Sequence, residues 1–561
     1  MAMIDAPKRL SHGWPGMLRF APFGAAVALM PLGALVTLIA PITGVILALL
    51  GLVLTLVGLY DLNQTKHAVS KNYPVSARLR YLLEFFRPEI RQYFIEDDRE
   101  ETPFSREQRA LVYRRAKGIE GLRPFGTIYD VNAIGHEWIN HSMAPSHIES
   151  ADFRHRVGGP DCARPYESSV LNISGMSYGA LSPTAIEALN KGAKEGGFAH
   201  TTGEGSISRF HRIHGGDLIW QIGSGYFGCR DKAGRFDEGR FAENAAGEAV
   251  KMIEIKLSQG AKPGHGGILL GAKVTEAIAE ARGVAVGEDC VSPSAHSAFS
   301  TPLELCAFIA RLRELSGGKP TGLKLCVGHP WEWFALAKAM KESGITPDFI
   351  TIDGSEGGTG AAPAEFADHR GAPLREGLML VHNTLVGLGL RDRVRLIAAG
   401  KLISAFDISR VFALGADGCN MARGFMFAIG CIQAQACHTG HCPTGVTTQD
   451  PGRYRALVVA DKWKRVANFH RNTMIALKES IESSGLRHPS ELTPHHLMIR
   501  VSSREVRSAA SQYPWAEPGE LERGTPNHPA FRKYWAGARA GSFSLAGGTA
   551  PADLREERGA A

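Results

Sequence analysis

Residues 348–361 read Asp348-Phe-Ile-Thr-Ile-Asp353-Gly-Ser-Glu-Gly-Gly-Thr-Gly-Ala361, an apolar run followed at once by a glycine-rich loop. A short apolar run rich in β-branched residues predicts a buried strand. The loop after it offers backbone N–H groups and a hydroxyl to a phosphate. Composition alone fits a flexible turn equally well. This one loop therefore does not distinguish a phosphate site from a turn, and the pattern of strands and loops in the rest of the chain has to decide.

The same order recurs from about residue 165 onward, with Ala-rich helical patterns between the strands. Alternating strands and helices predict a parallel sheet. Their number predicts an α/β fold with a (β/α)8 TIM barrel, and a doubly wound open sheet is the alternative. The predicted strands are 169–173, 199–202, 252–257, 322–327, 348–353, 394–399, 415–420 and a weakly marked run near 289–291. The predicted helices include 183–196 (with Ser182 as N-cap), 302–315, 331–343 and 405–414.

The length of 561 residues exceeds the roughly 250 residues of a TIM barrel and leaves room for flanking segments. The net charge of +7 comes without a Lys/Arg stripe interleaved with aromatics, so no nucleic-acid partner is expected. A membrane-surface or partner-facing role explains the charge more simply. The nine cysteines are odd in number and six are scattered, which excludes a secreted disulfide framework.

Residues 20–60 contain no charged side chain. At ~1.5 Å per residue, one helix of that length would be about twice the hydrocarbon thickness. Pro41 and Gly44 near the middle predict a two-helix transmembrane hairpin with spans near 22–40 and 43–60. A cleaved signal peptide, a buried core hairpin and an in-plane arrangement are the alternatives. The flanking cations predict a multi-pass protein of the cell inner membrane with a cytoplasmic catalytic domain: Lys8, Arg9, Arg19, Lys66, Lys71, Arg78 and Arg80.

Three cysteines are grouped in the pattern Cys431-x5-Cys437-x4-Cys442-Pro443. Three thiolates at this spacing can wrap one soft cluster, and three ligands suit [3Fe–4S]. A zinc site completed by His438 or His441, or three structural cysteines, are the alternatives.

Lysines form another candidate site. Lys256 and Lys324 lie within predicted strands, and Lys262 follows on a loop. Because lysine is rarely buried without a partner, Lys262 and Lys324 are interpreted as contacts to an anion or a cofactor edge rather than as surface lysines. The GxGxxG match at 223–228 lacks a clean strand before it and a helix after it, so we interpret it as a loop. Gly400-Lys401 and residues 419–424 would complete a phosphate cup with the 354–361 loop.

Five motifs occur in a fixed order: Met176-Ser-Tyr-Gly-Ala-Leu-Ser182, Thr202-Gly-Glu-Gly205, Gln259-Gly-Ala-Lys-Pro-Gly264, Gly357-Gly-Thr-Gly-Ala361 and the cysteine pattern ending in Cys442-Pro-x-Gly-Val446. Together they resemble the FMN-binding synthase domain of glutamate synthase over about 165–450. Residues 85–145 resemble the stand-alone glutamate synthase-related proteins. Composition and the resemblance together predict the divisions 1–20 cytoplasmic N-terminus, 21–60 transmembrane hairpin, 61–150 connector packing on the barrel, 151–450 FMN-binding synthase domain, and 451–561 helical extension with a flexible tail.

The resemblance also implies the chemistry. Reduced FMN, fed by a [3Fe–4S] cluster on Cys431, Cys437 and Cys442, would drive reductive amination of 2-oxoglutarate to L-glutamate. Gln259 and Lys262 would lie by the flavin and 2-oxoglutarate, and Glu204 at the ammonia entry. The electron donor would be ferredoxin or a reductase. The residues that the resemblance assigns to FMN are Met176, Ser177, Lys324, Gly357, Gly358, Thr359, Gly360, Gly400, Lys401 and Arg423.

Departures from the family pattern concern the substrates. The family's GEGGE is here Gly203-Glu-Gly-Ser-Ile207, and its KPGEGG is Lys262-Pro-Gly-His-Gly-Gly267. No cysteine follows the initiator Met, and neither a glutaminase domain nor a C-terminal β-helix is expected, so glutamine use would need a partner subunit. The alternatives are an N-methylglutamate synthase-like enzyme and a membrane-tethered flavin and iron–sulfur electron carrier. A homo-oligomer is left open.

Overall fold

The computed structural model describes residues 18–100, 102–119, 121–523, 526 and 528–545. The chain divides into two compact units, one up to Glu107 and one from Gln108 onward. Each is described by itself. Most of the predicted cytoplasmic N-terminus and the predicted flexible tail after residue 545 lie outside the described residues.

The first unit begins with a helical hairpin. Helix α1 (Ala21–Val36) and helix α2 (Pro41–Asn63) are joined by a turn at the predicted position. Small residues let the two backbones approach, since a Cβ built on Gly51 would lie 2.8 Å from Met30 N and one on Gly44 would clash with Thr37. By length and composition, both helices could cross a membrane. Helices α3 (Ala68–Asn72) and α4 (Ala77–Ile90) follow, and a π-helical turn (Arg91–Ile95) extends α4.

The second unit is built around a closed barrel of eight parallel strands. This confirms the predicted α/β barrel and excludes the open sheet. The strands are β1 (Leu171–Ile173), β2 (His200–Thr201), β3 (Leu218–Ile222), β4 (Val250–Lys256), β5 (Thr321–Leu325), β6 (Phe349–Asp353), β7 (Arg395–Ala399) and β8 (Gly418–Met421). They pair in chain order, and β8 closes on β1 through Cys419 beside Leu171.

One barrel strand was not predicted, and one predicted strand lies elsewhere. Strand β3 is fully buried, although Trp220 and Gln221 interrupt its aliphatic run. The run near 289–291 does form a strand, Cys290–Ser292, but it pairs antiparallel with Gly267–Leu269 outside the barrel. The GxGxxG segment 223–228 is a loop as predicted, yet a clean strand precedes it, contrary to the prediction.

Helices surround the barrel, and several begin where the sequence predicts. Ser182 Oγ accepts a hydrogen bond from Ala185 N, 3.2 Å away, which caps the helix at Pro183. The helices from α5 onward are α5 (Arg106–Ala116), α6 (Pro183–Gly196), α7 (Arg209–Arg212), α8 (Glu238–Ala245), α9 (Glu276–Arg282), α10 (Pro302–Leu315), α11 (Pro330–Ser343), α12 (Ala364–His369), α13 (Leu374–Gly387), α14 (Ala405–Ala413), α15 (Arg423–Ile429), α16 (Pro451–Tyr454), α17 (Val459–Ser483), α18 (Ala509–Gln512) and α19 (Pro529–Tyr534).

Smaller elements complete this unit. Strand Arg154–Val157 pairs antiparallel with Tyr166–Ser169, and Leu497–Arg500 pairs with both Glu137–Ile139 and Val506–Ser508. Apolar side chains fill part of the barrel interior, which leaves the chemistry to the loops at its carboxyl end. That buried cluster consists of Val157, Ala199, Ile219, Met252, Phe349 and Ile397.

Candidate active site

The carboxyl ends of the parallel strands meet at one end of the barrel, so the loops after them share a site. Glu204 follows β2, Lys256 ends β4, and Gln259 and Lys262 lie on the next loop. Lys256 Nζ lies 3.1 Å from Glu204 Oε2 and donates to Gln259 Oε1 at 2.8 Å. Lys262 lines the same cavity. The structure thus brings together all three predicted catalytic residues.

The charged groups of this cavity shift one another's pKa values. Burial alone would raise the pKa of the Glu204 carboxyl, but Lys256, with Lys262 and Arg282 further away, holds it below its usual value. Burial lowers the pKa of the Lys262 ammonium, against the attraction of Glu204. At neutral pH the site therefore presents a carboxylate beside two lysines.

Other residues at this site had no role assigned from the sequence. Lys256 lies within a predicted strand, but only Lys262 and Lys324 were interpreted as contacts to an anion or a cofactor. His296 Nε2 lies 2.9 Å from the Lys256 carbonyl oxygen, and its Nδ1 lies 3.1 Å from the Tyr226 hydroxyl. Burial lowers the pKa of His296. Ser224, from the loop set aside as a dinucleotide motif, lines the cavity. Ser224 could have been found from the sequence only if β3 had been recognised, because the loop then follows a barrel strand directly.

The barrel interior next to this cavity holds a chain of buried polar groups. Gln221 Nε2 donates to Glu254 Oε2 at 2.5 Å, and Thr351 Oγ1 donates to Glu254 Oε1 at 2.7 Å. Lys324 Nζ lies 3.3 Å from Asp353 Oδ2. Burial opposes the Lys324 charge, but Asp353 and Glu254 together raise its pKa. The predicted cofactor contact Lys324 is therefore a buried cation held by Asp353.

The loops after β6, β7 and β8, which the sequence predicts to form a phosphate cup, contact one another. A Cβ built on Gly358 would lie 3.2 Å from Arg423 Nε, and Arg423 Nη2 donates to the Thr359 carbonyl oxygen at 2.8 Å. Gly400, with φ of +141°, approaches the Gly354 nitrogen, and Lys401 also has a positive φ of +54°. Gly357 packs against Asp353. Each of these positions needs close backbone approach or a left-handed conformation.

The loops after β1 and β2 touch each other. A Cβ built on Gly203 would lie 2.5 Å from Ser177 N and 2.7 Å from the Met176 carbonyl carbon, so only glycine fits there. Met176 and Ser177 therefore abut the loop that carries Glu204. At the end of β8, the buried amide oxygen of Asn420 has no hydrogen-bond partner among the described residues. Asn420 belongs to the segment 419–424 that the sequence assigns to the phosphate cup.

The three grouped cysteines lie on the loop after α15. Cys431 and Cys442 are buried and Cys437 is partly exposed. Among the described residues, the structure gathers no set of three or more His, Cys, Asp or Glu side chains at metal-binding distance. Burial disfavours the Cys442 thiolate, but hydrogen bonds from Thr444 and Thr447 outweigh it and lower the pKa of that thiol to about 7.

The cysteine loop adjoins the glycine loop. A Cβ built on Gly360 would lie 3.9 Å from Cys437 Cβ. Two contacts from other elements hold the cysteine loop in place. The Tyr113 hydroxyl donates to the Cys431 carbonyl oxygen at 2.6 Å, and Lys273 Nζ donates to the His438 carbonyl oxygen at 2.6 Å.

Comparisons with known proteins agree with this architecture. The family model described as "Conserved region in glutamate synthase" matches residues 163–487. The "Glutamate synthase large subunit-like protein YerD" of Bacillus subtilis is 38% identical over 485 residues, which cover 78% of this chain and 91% of that protein.

More distant relatives match over the barrel region. The "Archaeal-type glutamate synthase (NADPH)" of Thermotoga neapolitana is 35% identical over 315 residues, and the "Archaeal glutamate synthase (NADPH)" of Methanocaldococcus jannaschii is 34% identical over 317 residues. In both cases the match covers 56% of this chain and 59% of the relative. Among solved structures, a mutant flavocytochrome b2 with pyruvate bound matches with a TM-score of 0.39 at 11% identity, over 79% of this chain and 94% of that one, which is too distant to bear on function.

Proposed function

The chain belongs to the glutamate synthase family, and from that premise we propose that it is an oxidoreductase acting on CH–NH2 donors that forms L-glutamate from 2-oxoglutarate. One observation carries the proposal: Glu204, Lys256, Gln259 and Lys262 surround one cavity at the carboxyl end of the barrel. The balanced reaction joins 2-oxoglutarate, ammonium, two electrons and two protons to give L-glutamate and water. The carbonyl oxygen leaves as water when the imine forms, and the imine carbon then takes a hydride.

The residues present fit FMN. Gly357 and Gly400 leave little room for a side chain, Arg423 adds a cation, and Asn420 offers a buried oxygen without a partner among the described residues. Gly357, Gly358, Thr359, Gly360, Gly400, Lys401 and Arg423 would hold the phosphate, and Met176, Ser177 and Lys324 the ring system. Reduced FMN, when bound, supplies the hydride that the reaction consumes.

The charged side chains of the cavity would bind and orient the substrates. The Lys262 ammonium would hold a carboxylate of 2-oxoglutarate, and the Gln259 amide would orient it. The Glu204 carboxylate, kept ionised by Lys256, would accept hydrogen bonds from the nitrogen donor and take up its proton. Ammonia itself, or ammonia released from glutamine by a partner subunit, would serve as that donor.

Cys431, Cys437 and Cys442 would hold a [3Fe–4S] cluster, since three thiolates are the donors such a cluster uses. The cluster would supply electrons one at a time from an external donor, ferredoxin or a reductase. The contact of Cys437 with Gly360 supports this role, because it places the cysteine loop beside the cup assigned to FMN. We assign residues 151–450 to the synthase domain, 61–150 to a connector, and 451–561 to a C-terminal extension that begins with α16 and α17.

We also propose that α1 and α2 form a transmembrane hairpin in the cell inner membrane, with the rest of the chain cytoplasmic. Both helices are apolar on all sides, and large side chains such as Leu35 and Ile46 are more than half exposed. Helix α4 adds support, because one face carries exposed apolar residues while arginines lie on the flank. That apolar face consists of Leu79, Leu82, Leu83, Phe86 and Ile90. The start of α4 is tied to the end of α2 by Arg78 Nη2, 2.7 Å from Asp61 Oδ1.

The test is an optical and EPR spectrum of anaerobically purified protein, repeated after dithionite reduction and after addition of 2-oxoglutarate and ammonium. We expect FMN and a three-iron signal, with flavin reoxidation only when both substrates are present. Reoxidation with methylamine in place of ammonium would favour the N-methylglutamate synthase-like alternative. A flavin that stays reduced with either nitrogen source would favour an electron carrier, and well-folded protein without FMN would refute the proposal.

A further inference from the structure

A second hollow opens beside the loop that carries Glu204, on the side of α7, α8 and α9. Its volume is about 470 Å³, within the range of small-molecule sites, roughly 300–1,000 Å³. Ser206 and Ile207 form one wall, and Gly228 another. None of the residues assigned to FMN, to the cluster or to the substrates lines it.

The hollow concentrates positive charge. Four arginines line it, together with two glutamates, Glu243 and Glu280, and the amide of Asn244. The arginines are Arg209, Arg212, Arg230 and Arg240. Within the described part of the chain, none of the four lies within 4.0 Å of a carboxylate oxygen. Like charges brought to one hollow repel each other unless an anion lies between them.

The arginines retain guanidinium N–H groups that could donate hydrogen bonds to a ligand. Arg212 Nη2 donates to Asn244 Oδ1 at 2.7 Å, and Arg240 Nη1 donates to the Arg230 carbonyl oxygen at 3.0 Å. A guanidinium carries five N–H donors, so these bonds use only part of the supply. The Nε of Arg230 is buried and has no hydrogen-bond partner among the described residues.

Neighbouring arginines outside the hollow are paired, so the region does not lack acidic residues. Arg235 Nε lies 3.1 Å from Asp231 Oδ2, and Arg311 pairs with Glu238 and Glu314. Arg230 instead lies over the ring of Phe227, 5.6 Å from its centroid. An aromatic ring orients a guanidinium without neutralising it. The arginines of the hollow thus differ from Arg235 and Arg311 in forming no ion pair within 4.0 Å in the described part of the chain.

We propose that the hollow binds a small molecule with at least two anionic groups, phosphate or carboxylate. Arginine forks match both groups in charge and geometry. Glu243, Glu280 and Asn244 would accept hydrogen bonds from hydroxyl or amino groups of the same ligand, and the glutamates would disfavour a ligand without them. The inference does not depend on the reaction proposed above.

The loop that lines the hollow packs against the loop that carries Glu204. Ser206 lies two residues after Glu204. A Cβ built on Gly228 would clash with Ser206 Oγ, and one on Gly223 would lie 2.9 Å from Glu204 Cβ. The loop 223–230 therefore touches the loop 203–207 at both ends, so a ligand held by Arg230 would stiffen the loop that carries Glu204.

Calorimetric titration of the full-length purified protein with pyrophosphate and, separately, with citrate tests the proposal. The exposed pair Arg209→Gln/Arg240→Gln removes two cations from the hollow, and Arg235→Gln/Arg311→Gln removes two paired cations outside it. We expect the first variant to weaken binding by about tenfold or more per arginine and the second to leave it unchanged. Tighter pyrophosphate binding identifies a phosphorylated ligand and tighter citrate binding a polycarboxylate.

Two results would overturn it. One is that neither probe binds the wild-type protein at low salt. The other is that both double variants weaken binding equally, because the effect would then follow net charge rather than the hollow.

Discussion

The ammonium nitrogen of Lys256, at the end of β4, lies 3.1 Å from a carboxylate oxygen of Glu204, on the loop after β2. The pair spans the intervening strand β3 and fixes the charge of a partly buried carboxyl group. Burial favours the protonated form of Glu204, and Lys256 is the largest influence against it. Lys256 is thus a positioning residue that keeps Glu204 ionised.

Lys256→Met should raise the pKa of Glu204, because burial is then opposed only by the more distant cations. A group whose pKa rises is protonated over a wider acidic range, so the acidic limb of the pH profile of kcat/KM should move to higher pH. At neutral pH we expect kcat/KM to fall by about 10²-fold. Lys251→Met, on the same strand beside Asp217, is the control. An unchanged acidic limb in a less active Lys256→Met would assign Lys256 a purely structural role.

Lys262→Gln should raise the KM for 2-oxoglutarate by about 10- to 100-fold, because one charge-assisted hydrogen bond to a carboxylate is lost. FMN content should be unchanged, since Lys262 is not among the residues assigned to FMN. Lys232→Gln removes an equal charge from an exposed loop and should have no effect. A normal KM in Lys262→Gln would mean that another cation binds the oxoacid.

Much of this arrangement could be predicted from the sequence, because the signals were local. The helix at Pro183 has a cap and a proline in its first turn, and the glycine loop after β6 follows a clear strand. Strand β3 was missed because Gln221 breaks its apolar run, and its burial depends on the bond to Glu254 on β4. Such a partner is set by strand register, which a single sequence does not show. The same applies to the Lys256 and Glu204 pair, whose members are 52 residues apart.

Cys442→Ser should abolish the three-iron EPR signal and lower iron content to background, because a cluster with three ligands cannot spare one. FMN should stay bound, since its assigned contacts lie on other loops. Cys162→Ser, a partly exposed cysteine far along the chain from the cysteine loop, should keep a full complement of iron. Zinc in place of iron in the wild-type protein, lost in Cys442→Ser, would indicate the zinc site instead.

Helix α4 should be protected from trypsin in membrane vesicles if its apolar face lies in the lipid interface. Leu82→Glu/Phe86→Glu replaces two exposed apolar residues of that face and should speed cleavage after Arg80 and Arg91 several-fold. Glu84→Gln, on the polar side and paired with Arg80 at 2.9 Å, is the control. Equal cleavage of wild type and the double variant would mean that α4 is not embedded.

Stability should fall in mild acid because several buried histidines are neutral in the folded chain. Burial lowers the pKa of His200 and His470 to about 3 and that of His155 to about 4, against about 6.5 when unfolded. The unfolded chain therefore binds more protons below pH 6.5. Each such histidine removes up to ~1.4 kcal/mol of stability per pH unit between pH 6.5 and its folded pKa.

His200→Leu tests this dependence. Both ring nitrogens of His200 are buried without a hydrogen-bond partner in the described structure, so an apolar residue of similar size should cost little at pH 7.5. At pH 5.5 the variant should unfold at a higher urea concentration than the wild type, and its free energy of unfolding should be higher by about 1 kcal/mol. His214→Leu, at a surface pair with Glu187, should show no such gain. If both variants followed the same pH curve as the wild type, charging of His200 would not contribute to acid unfolding.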